Sequence, residues 1–249
     1  MPEPTYPPEP WYLGGSLLVS VFLVPASALP VGFDLPDGRR PLRIAGRVVV
    51  GVAAVEYVPG GALEYDELLV ALPSFGRGGL RVTIPQIWVD SEASKRGGRE
   101  LWGIPKHLAR FARTTAGRRT QVRMLVDGRT VAGLAARRGR ALLPGLHQLA
   151  LPILQRLEGR TTLSRNLVIG RVSGLRAAWR FADDGPLAWL RGVRPALSVE
   201  LHDAAIVFGM RVQRGPAAPV PVSVPASVPA SSTPVPPLPR SAPLPEKSS

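Results

Sequence analysis

The sequence predicts an α+β protein dominated by an antiparallel β-sheet that is curled or barrel-like. Apolar runs rich in β-branched residues recur along the chain, and Gly, Pro and Asp residues that favour turns separate them. Helical periodicity is scarce by comparison. Many short strands with few helices to cover them favour a sheet that curls and so hides its edges.

The strands are predicted from these runs in chain order. They are expected at about 17–24, 43–55, 67–73, 80–89, 121–136 and 167–181. A last strand is predicted at Leu197–His202, because apolar and polar residues alternate there and leave one face buried. Gly76–Gly79 lies between two runs and does not open a helix, so it predicts a turn rather than a dinucleotide-binding loop.

One helix is predicted, over Leu146–Leu157. Its leucines recur near helical spacing, although Pro152 would kink or end a helix there. The polar segment that follows Val89 is expected to be a loop with a turn at Gly97–Gly98. Ser91 lies in that segment and is expected to be a capping residue, because it lacks the G-x-S-x-G setting of a hydrolase nucleophile.

The composition changes near residue 214 and predicts one domain followed by a tail. Residues 1–214 are numerous enough to enclose a dry interior without metals or disulfides. Residues 215–249 are rich in Pro, Ala and Ser and poor in large apolar side chains. Such a segment cannot offset the entropy of ordering, so the tail is expected to be disordered.

Several classes of protein are excluded by simple patterns. The most apolar run, Leu17–Val24, is far shorter than the roughly 20 residues of a membrane-spanning helix. Glu3 and Glu9 precede it where a signal peptide would carry basic residues. The absence of cysteine excludes disulfides and a thiol nucleophile, and the three histidines lack metal-ligand spacing. We therefore expect a cytoplasmic protein without a metal site or a membrane partner.

The net charge of +13 raises the question of a nucleic-acid partner. The positive charge is spread along the domain, and its densest stretches, 110–123 and 137–140, lack interleaved aromatic residues. We expect no nucleic-acid partner. Anion or nucleic-acid binding remains an alternative that would show a steep salt dependence.

Lys106 is the residue most typical of a catalytic group. The 31 Lys and Arg residues include only three lysines, and Lys106 follows Pro105 among the apolar Trp102, Ile104 and Leu108. Burial among such side chains is expected to lower the pKa of the amine, and a neutral amine attacks a carbonyl to form a Schiff base. The residues alone leave a structural alternative open, in which the ammonium reaches water while the stem packs on Trp102.

Two motifs resemble the acetoacetate decarboxylase family. Gly98–Leu101 followed by Pro105–Lys106 is similar to the family signature, in which the lysine after the proline forms a Schiff base with a β-keto acid. Tyr65–Glu67 precedes a hydrophobic strand at the family's usual distance before that lysine. The resemblance covers most of residues 11–210 and implies the family's fold and a tendency to form homo-oligomers.

The resemblance also implies roles for particular residues. Lys106 would be the nucleophile, and Glu67 would orient or protonate the intermediate. His107 stands where the family has a second lysine, so the adjacent positive charge would depend on pH. Substrate-binding residues implied by the resemblance are Trp102, Tyr65 and Glu100, with Glu100 beneath the site.

Two other positions depart from the family's pattern. Leu13–Ser16 lacks an arginine that could hold a substrate carboxylate, and Val48–Val55 lacks a further carboxylate. The resulting prediction is a cofactor-free Schiff-base lyase that decarboxylates a β-keto acid such as acetoacetate. Aldol or dehydration chemistry on a larger carbonyl substrate uses the same electron sink and is the alternative. A non-catalytic small-molecule-binding protein on the same fold is the alternative from another class.

Overall fold

The computed structural model describes residues 5–33 and 35–217. In this part of the chain, thirteen strands form one large sheet, and a single α-helix and three short 3-10 helices accompany it. The predicted fold class, a mainly antiparallel curled sheet with little helix, is confirmed. Of the predicted disordered tail, 215–249, all but the first three residues lie outside the described residues.

Most predicted runs lie within longer strands, but the run 43–55 spans two strands, Arg43–Ile44 and Arg47–Val58, and the run 121–136 also spans two, Arg119–Val126 and Arg129–Ala141. The strands are β1 (Trp11–Val24), β2 (Arg40–Pro41), β3 (Arg43–Ile44), β4 (Arg47–Val58), β5 (Tyr65–Gly76), β6 (Gly79–Val89), β7 (Lys106–Leu108), β8 (Arg110–Ala116), β9 (Arg119–Val126), β10 (Arg129–Ala141), β11 (His147–Leu157), β12 (Arg160–Phe181) and β13 (Leu197–Ala217). Helix α1 (Glu92–Trp102) lies between β6 and β7, and the 3-10 helices are Ala26–Ala28, Pro36–Gly38 and Ala188–Leu190.

The sheet is ordered β11-β6-β5-β4-β1-β13-β12-β10-β9-β8, and its neighbours along this path are antiparallel except β11 and β6. Strand β11 also pairs with β12 along its whole length, so it lies between two distant parts of the path. A single parallel bridge, Ile153 to Val82, joins β11 to β6. The sheet therefore curls around an interior, although no continuous ladder joins β11 to β6.

Strand β4 is buried on both faces, which explains why its sequence is a nearly unbroken run of apolar residues. Ala53 and Val55 face the interior of the curl, whereas Val50 and Val52 pack on the opposite side against a second apolar cluster that includes Phe22. Successive side chains of a strand point to opposite faces. Because both faces are covered, alternation between apolar and polar residues disappears.

The predicted helix at Leu146–Leu157 is wrong, because His147–Leu157 forms strand β11. Its register with β12 places Leu149 opposite Val168 and Ile153 opposite Ser164. Leu149, Leu151 and Ile153 all line one cavity, which is a period of two. In a run this rich in leucine the two periodicities overlap, and pairing with β12 decides between them.

The predicted loop after Val89 is also wrong, because it contains helix α1. Ser91 caps the helix, since its side chain accepts a hydrogen bond from the Ser94 backbone N–H at 3.2 Å. At the other end Gly103 adopts φ 65°, a left-handed conformation, and its N–H donates to the Arg99 carbonyl. The predicted turn at Gly97–Gly98 is thus a pair of buried helical residues.

Two smaller observations complete the fold. The predicted turn at Gly76–Gly79 is confirmed, since β5 and β6 form a hairpin in which Gly76 pairs with Gly79. Within the described residues, no helix combines the length and apolar character needed to cross a membrane.

Candidate active site

Lys106 lies at the start of β7, beside β6, with its side chain turned into the interior of the curled sheet. Its partner across the parallel ladder is Ile87, and its side chain is 4% exposed. Pro105 precedes it and fixes the local backbone, so the side chain leaves the strand in a defined direction. The structural alternative, an ammonium that reaches water, does not occur.

Three oxygen atoms surround the Lys106 ammonium. Lys106 Nζ donates to Glu67 Oε2 at 2.9 Å, to Ser94 Oγ at 2.9 Å and to the Tyr65 hydroxyl at 3.4 Å. The Glu67 side chain is also 4% exposed. An ammonium has three N–H donors, so these three acceptors satisfy the protonated amine completely.

Helix α1 comes close enough to contribute Ser94 because its inner face carries small residues. Ser94, Gly97 and Gly98 are buried on this face. A Cβ atom at Gly98 would lie 2.7 Å from Lys106 Cδ, and one at Gly97 would lie 2.6 Å from the Trp11 ring. The two glycines therefore allow a close approach of the helix to the lysine, which is a different use of glycine from the predicted turn.

Two tyrosines extend the hydrogen-bond cluster. The Tyr57 hydroxyl donates to Glu67 Oε1 at 3.4 Å, and its ring lies 4.4 Å from that of Tyr65. Burial, opposed by the positive charge of Lys106, raises the pKa of Tyr65 to about 12, and burial with the charge of Glu67 raises the pKa of Tyr57 well above its ordinary value. Both hydroxyls therefore stay protonated at neutral pH and can donate to an oxygen atom in the site.

The expectation that burial lowers the Lys106 pKa is wrong as a net effect. Burial acts in that direction and is the largest single influence, but Glu67 and Tyr65 together outweigh it and leave the pKa above its ordinary value. Lys106 Nζ and Glu67 Oε2 form a buried ion pair at 2.9 Å. A nucleophilic amine requires the transfer of one proton out of the ammonium, and Glu67 Oε2 is in hydrogen-bond contact to receive it.

A cavity of about 330 Å³ adjoins the ammonium. Its walls are inward-facing side chains of strands that curl around the interior, and almost all of them are apolar. Trp102 lies in the wall, with its indole N–H donating to Glu9 Oε2 at 2.9 Å and its ring against Trp11. A cavity of this kind suits a small organic molecule whose reacting carbonyl reaches Lys106.

Of the six predicted site residues, the structure brings four together: Lys106, Glu67, Tyr65 and Trp102. His107 is not among them. Because successive residues of β7 face opposite ways, His107 is exposed and lies beside the Trp88 ring, 6.4 Å between centroids. Partial burial and, to a smaller extent, the positive charges of Arg99 and Lys95 lower the pKa of His107. The expectation of a pH-dependent positive charge beside Lys106 is therefore wrong, because the His107 side chain lies on the other face of β7.

The expected position of Glu100 beneath the site is also wrong. Glu100 lies on the exposed face of α1, where it accepts hydrogen bonds from the Tyr6 hydroxyl and from Arg96 Nε. The helix turns by about 100° per residue, so the position two residues after Gly98 cannot share its inward face. Glu100 thus stabilises the outer surface of the helix.

Sequence reasoning missed two residues of the cluster, Ser94 and Tyr57. The usable signal for Ser94 was its spacing of four residues from Gly98, which places both on one face of a helix. That signal had no meaning while the segment was interpreted as a loop. Tyr57 carried no local signal, because only the pairing of β4 with β5 brings it next to Tyr65.

The sequence matches the model of a known protein family. The sequence profile described as "Acetoacetate decarboxylase (ADC)" matches residues 5–168, which is more than half of the chain. The chain belongs to the acetoacetate decarboxylase family. No curated protein matches the chain significantly.

Several solved structures share the fold of this chain at low sequence identity. Acetoacetate decarboxylase from Legionella pneumophila superposes with a TM-score of 0.67 and 16% identity, covering 84% of this chain and 90% of that one. The enduracididine biosynthesis enzyme MppR, complexed with pyruvate, gives 0.58 and 20% identity over 81% and 86% of the two chains. An acetoacetate decarboxylase-like enzyme from Sphingomonas wittichii gives 0.54 and 17% over 83% and 92%.

Among residues 5–33 and 35–217, no group of three or more His, Asp or Glu side chains is placed to hold a metal ion. The ionisable groups that line the cavity there are Lys106, Glu67, Tyr57 and Tyr65. The chemistry of the cavity is therefore that of an amine, a carboxylate and two phenols.

Proposed function

We propose that the protein is a lyase in which Lys106 forms a Schiff base with a β-keto acid and so promotes its decarboxylation. The observation that carries the proposal is the burial of Lys106 Nζ at the wall of an apolar cavity, 2.9 Å from the carboxylate of Glu67. The family supports this reading, because its signature lysine coincides with Lys106.

In the first step, formation of the Schiff base, Glu67 carries a proton from the Lys106 ammonium to the substrate oxygen. Glu67 takes one proton from the ammonium, and the neutral amine of Lys106 then attacks the substrate carbonyl. The carbonyl oxygen receives the proton held by Glu67 and a second one from the nitrogen, and it leaves as water. One hydrogen stays on the nitrogen of the protonated imine, and Glu67 is again a carboxylate.

The protonated imine then serves as the electron sink. The bond between the substrate's carboxylate and the α-carbon breaks, carbon dioxide leaves, and the electron pair forms an enamine with the imine carbon and nitrogen. Protonation at the α-carbon and attack by water release a ketone and return Lys106. An apolar cavity favours this step, because the charge that is localised on the carboxylate becomes dispersed in the transition state.

The proposal is tested by trapping the imine. The protein is incubated with acetoacetate and homologous keto acids, borohydride is added, and the adduct is located by peptide mass spectrometry. We expect an adduct at Lys106, accompanied by release of carbon dioxide. Lys106→Arg keeps a cation in the site but removes the nucleophile, so it should lower turnover by at least about a thousandfold.

Lys95→Arg is the matched control, because Lys95 lies on the exposed surface of α1 and pairs with Glu92. It should behave like the native protein. A native adduct at Lys95 but not Lys106, or full turnover by Lys106→Arg, would overturn the assignment. Ligand binding without any adduct would instead favour the non-catalytic binding protein.

Aldol or dehydration chemistry is a second candidate, because no arginine lines the cavity among the described residues to hold a substrate carboxylate. A relative, MppR, has been solved with the condensation product of pyruvate and imidazole 4-carboxaldehyde, with a TM-score of 0.60 and 17% identity. Incubation with pyruvate and an aldehyde, followed by mass spectrometry of the products, separates this reaction from decarboxylation. Condensation without release of carbon dioxide would favour it.

The proposal includes the setting in which the enzyme works. We infer a cytoplasmic homo-oligomer whose partner is its carbonyl substrate, with no nucleic-acid or membrane partner and no cofactor. Light scattering gives the oligomeric state. Binding to DNA and RNA at rising salt concentration tests the alternative suggested by the net charge of +13.

A further inference from the structure

We propose that the natural substrate carries a linear apolar tail, which lies along the cavity from Lys106 towards Pro73 and Leu149. This inference rests on the proposed function, since it names the class of keto acid that the Lys106 site takes. It follows from the length, the lining and the open end of the cavity.

The cavity is long in the direction of the strands. On β5 the inward-facing residues Glu67, Leu69, Ala71 and Pro73 all line it. Glu67 and Pro73 are six residues apart, which is about 20 Å along an extended strand. A substrate bound covalently at Lys106 and ending in a methyl group would occupy only the beginning of this length.

The polar side chains of the lining are confined to one end. Lys106, Glu67, Tyr57 and Tyr65 form a single hydrogen-bonded cluster. Asn166 is already committed, because its Oδ1 accepts from the Gly209 N–H and its Nδ2 donates to the Leu151 carbonyl. The lining beyond this end consists of apolar side chains and one glycine. A substrate with hydroxyl or charged groups in that part would lose their hydration without gaining partners.

The two ends of the cavity differ in exposure. At the Lys106 end the walls include Trp11 and Trp102, each 1% exposed. At the other end Leu149 is 50% exposed, and Ala71 and Pro73 are partly exposed. The reacting carbonyl must therefore travel along the apolar walls to reach Lys106, and the remainder of the substrate then fills the path behind it.

The length of the tail is the variable that tests the inference. The substrates are β-keto acids whose group on the ketone carbon is methyl (acetoacetate), pentyl, nonyl or tridecyl. Each buried methylene should raise kcat/KM by up to about fourfold, and the rise should end when the tail reaches the mouth. A value that is flat, or that falls from methyl to pentyl, would overturn the inference.

A larger side chain in the cavity wall should weaken the dependence of kcat/KM on tail length. Ala71 lies about 13 Å along the strand from Glu67, so Ala71→Phe narrows the cavity well away from the lysine. We expect the tridecyl substrate to lose at least about tenfold more kcat/KM than acetoacetate does, because its outer methylenes lose their burial. Ala71→Leu is the milder variant and should give the same order with smaller losses, which covers poor folding of the larger substitution.

Ala112→Trp is the matched control, because Ala112 is exposed on the edge strand β8 and does not line the cavity. It should show the native dependence on tail length. Equal losses for all tail lengths in both Ala71 variants would contradict a tail-binding wall.

A second measurement separates this inference from the proposed function. Lys106→Gln keeps a donor for Glu67 but cannot form an imine, and calorimetry of its binding to methyl ketones of rising tail length reports the walls alone. Adducts at Lys106 with no effect of tail length would overturn the tail and leave the function. Tighter binding of longer ketones with no adduct in the native protein would overturn the proposed function and leave the tail-binding cavity.

Discussion

Among the described residues, two clusters of hydrogen-bonded side chains look catalytic, and one of them lies at the wall of the cavity described above. The first is the Lys106 site. The second, here called the Ser173 cluster, consists of Ser173, His202 and Asp203. Ser173 Oγ lies 3.1 Å from His202 Nε2, and His202 Nδ1 lies 2.9 Å from Asp203 Oδ2. This is the order of groups found in serine hydrolases.

The strands place the two clusters on opposite faces of the sheet. Val199 and Leu201 of β13 line the cavity, whereas Glu200 between them pairs with Ser173 of β12 across the sheet. Ser173 thus faces away from the cavity and is 3% exposed. Asp203, which would have to orient the histidine, is instead 70% exposed and also lies 3.8 Å from Arg171 Nε.

The difference teaches that short hydrogen bonds between a nucleophile and a base do not by themselves define an active site. Polar groups buried in a sheet satisfy one another wherever they occur, and they produce such strings for structural reasons. The Lys106 site adds a cavity and a cation in contact with a carboxylate, at the end of that cavity where the other polar groups also lie. The predictions below test that distinction.

The largest expected effect is that of Glu67→Gln, which removes the proposed proton carrier. Turnover should fall by about 10² to 10⁴, the range attributed to general acid–base groups. The same substitution removes the charge of Glu67, one of the two groups that raise the Lys106 pKa against the effect of burial, so the pKa should fall. Carbamylation of Lys106 by cyanate, followed by mass spectrometry across pH, should therefore begin at lower pH in the variant.

The raised pKa of Lys106 also makes the stability of the fold depend on pH. The native pKa of Lys106 is raised, so its contribution to stability is present at neutral pH and is lost as the pH rises through the folded value. Glu67→Gln should remove this alkaline loss. Glu100→Gln is the control, because Glu100 lies on the exposed surface of α1, and it should change turnover by less than about twofold. Carbamylation of the Glu67 variant at higher pH than the native protein would refute the ion-pair account.

An intermediate effect is expected for Gly98→Ala, which moves the side chain of the proposed nucleophile, Lys106, without changing any functional group. The new Cβ would meet Lys106 Cδ at 2.7 Å and displace the lysine chain. Displacement of a reacting group by about 1 Å costs up to about 10² in rate, so adduct formation should slow by about tenfold to a hundredfold. Alanine favours a helix by about 1 kcal/mol over glycine, so α1 itself should persist.

Gly97→Ala is the neighbouring comparison for that experiment. Its Cβ would meet the Trp11 ring at 2.6 Å and not Lys106. It should lower the melting temperature while slowing adduct formation less than Gly98→Ala does. If both variants slow the adduct equally at equal stability, the close approach at Gly98 has no special role.

Much of this site was predictable from the sequence, and the glycines show why the rest was not. Lys106 and Glu67 carry the motif, and an apolar setting around a rare lysine was visible in the chain. Gly97–Gly98 could serve either a turn or a close contact, and only the presence of Trp11 and Lys106 above the helix decides between them. Propensity disfavoured a helix with two adjacent glycines, and tertiary packing overrode it.

The strands were predictable because their apolar runs are fixed by burial, but their pairing was not. His147–Leu157 forms a strand only because β12 lies beside it, and Tyr57 joins the site only because β4 pairs with β5. The net pKa of Lys106 was mispredicted for the same reason. Burial can be inferred from neighbouring residues in sequence, whereas Glu67 and Tyr65, which together outweigh it, lie 39 and 41 positions away.

The smallest expected effect is that of Ser173→Ala, and it tests the other half of the comparison. Ser173 is buried on the face away from the cavity, so its hydroxyl is a structural partner of His202 and not a nucleophile. The substitution should cost about 1 kcal/mol of stability through the lost hydrogen bond and change turnover of keto acids by less than about twofold. A fluorophosphonate probe should leave Ser173 unlabelled in the native protein under conditions where a serine hydrolase reacts fully. Labelling of Ser173 that His202→Ala abolishes would show instead that this cluster opens to reagents and that burial is no guide to which of the two sites is reactive.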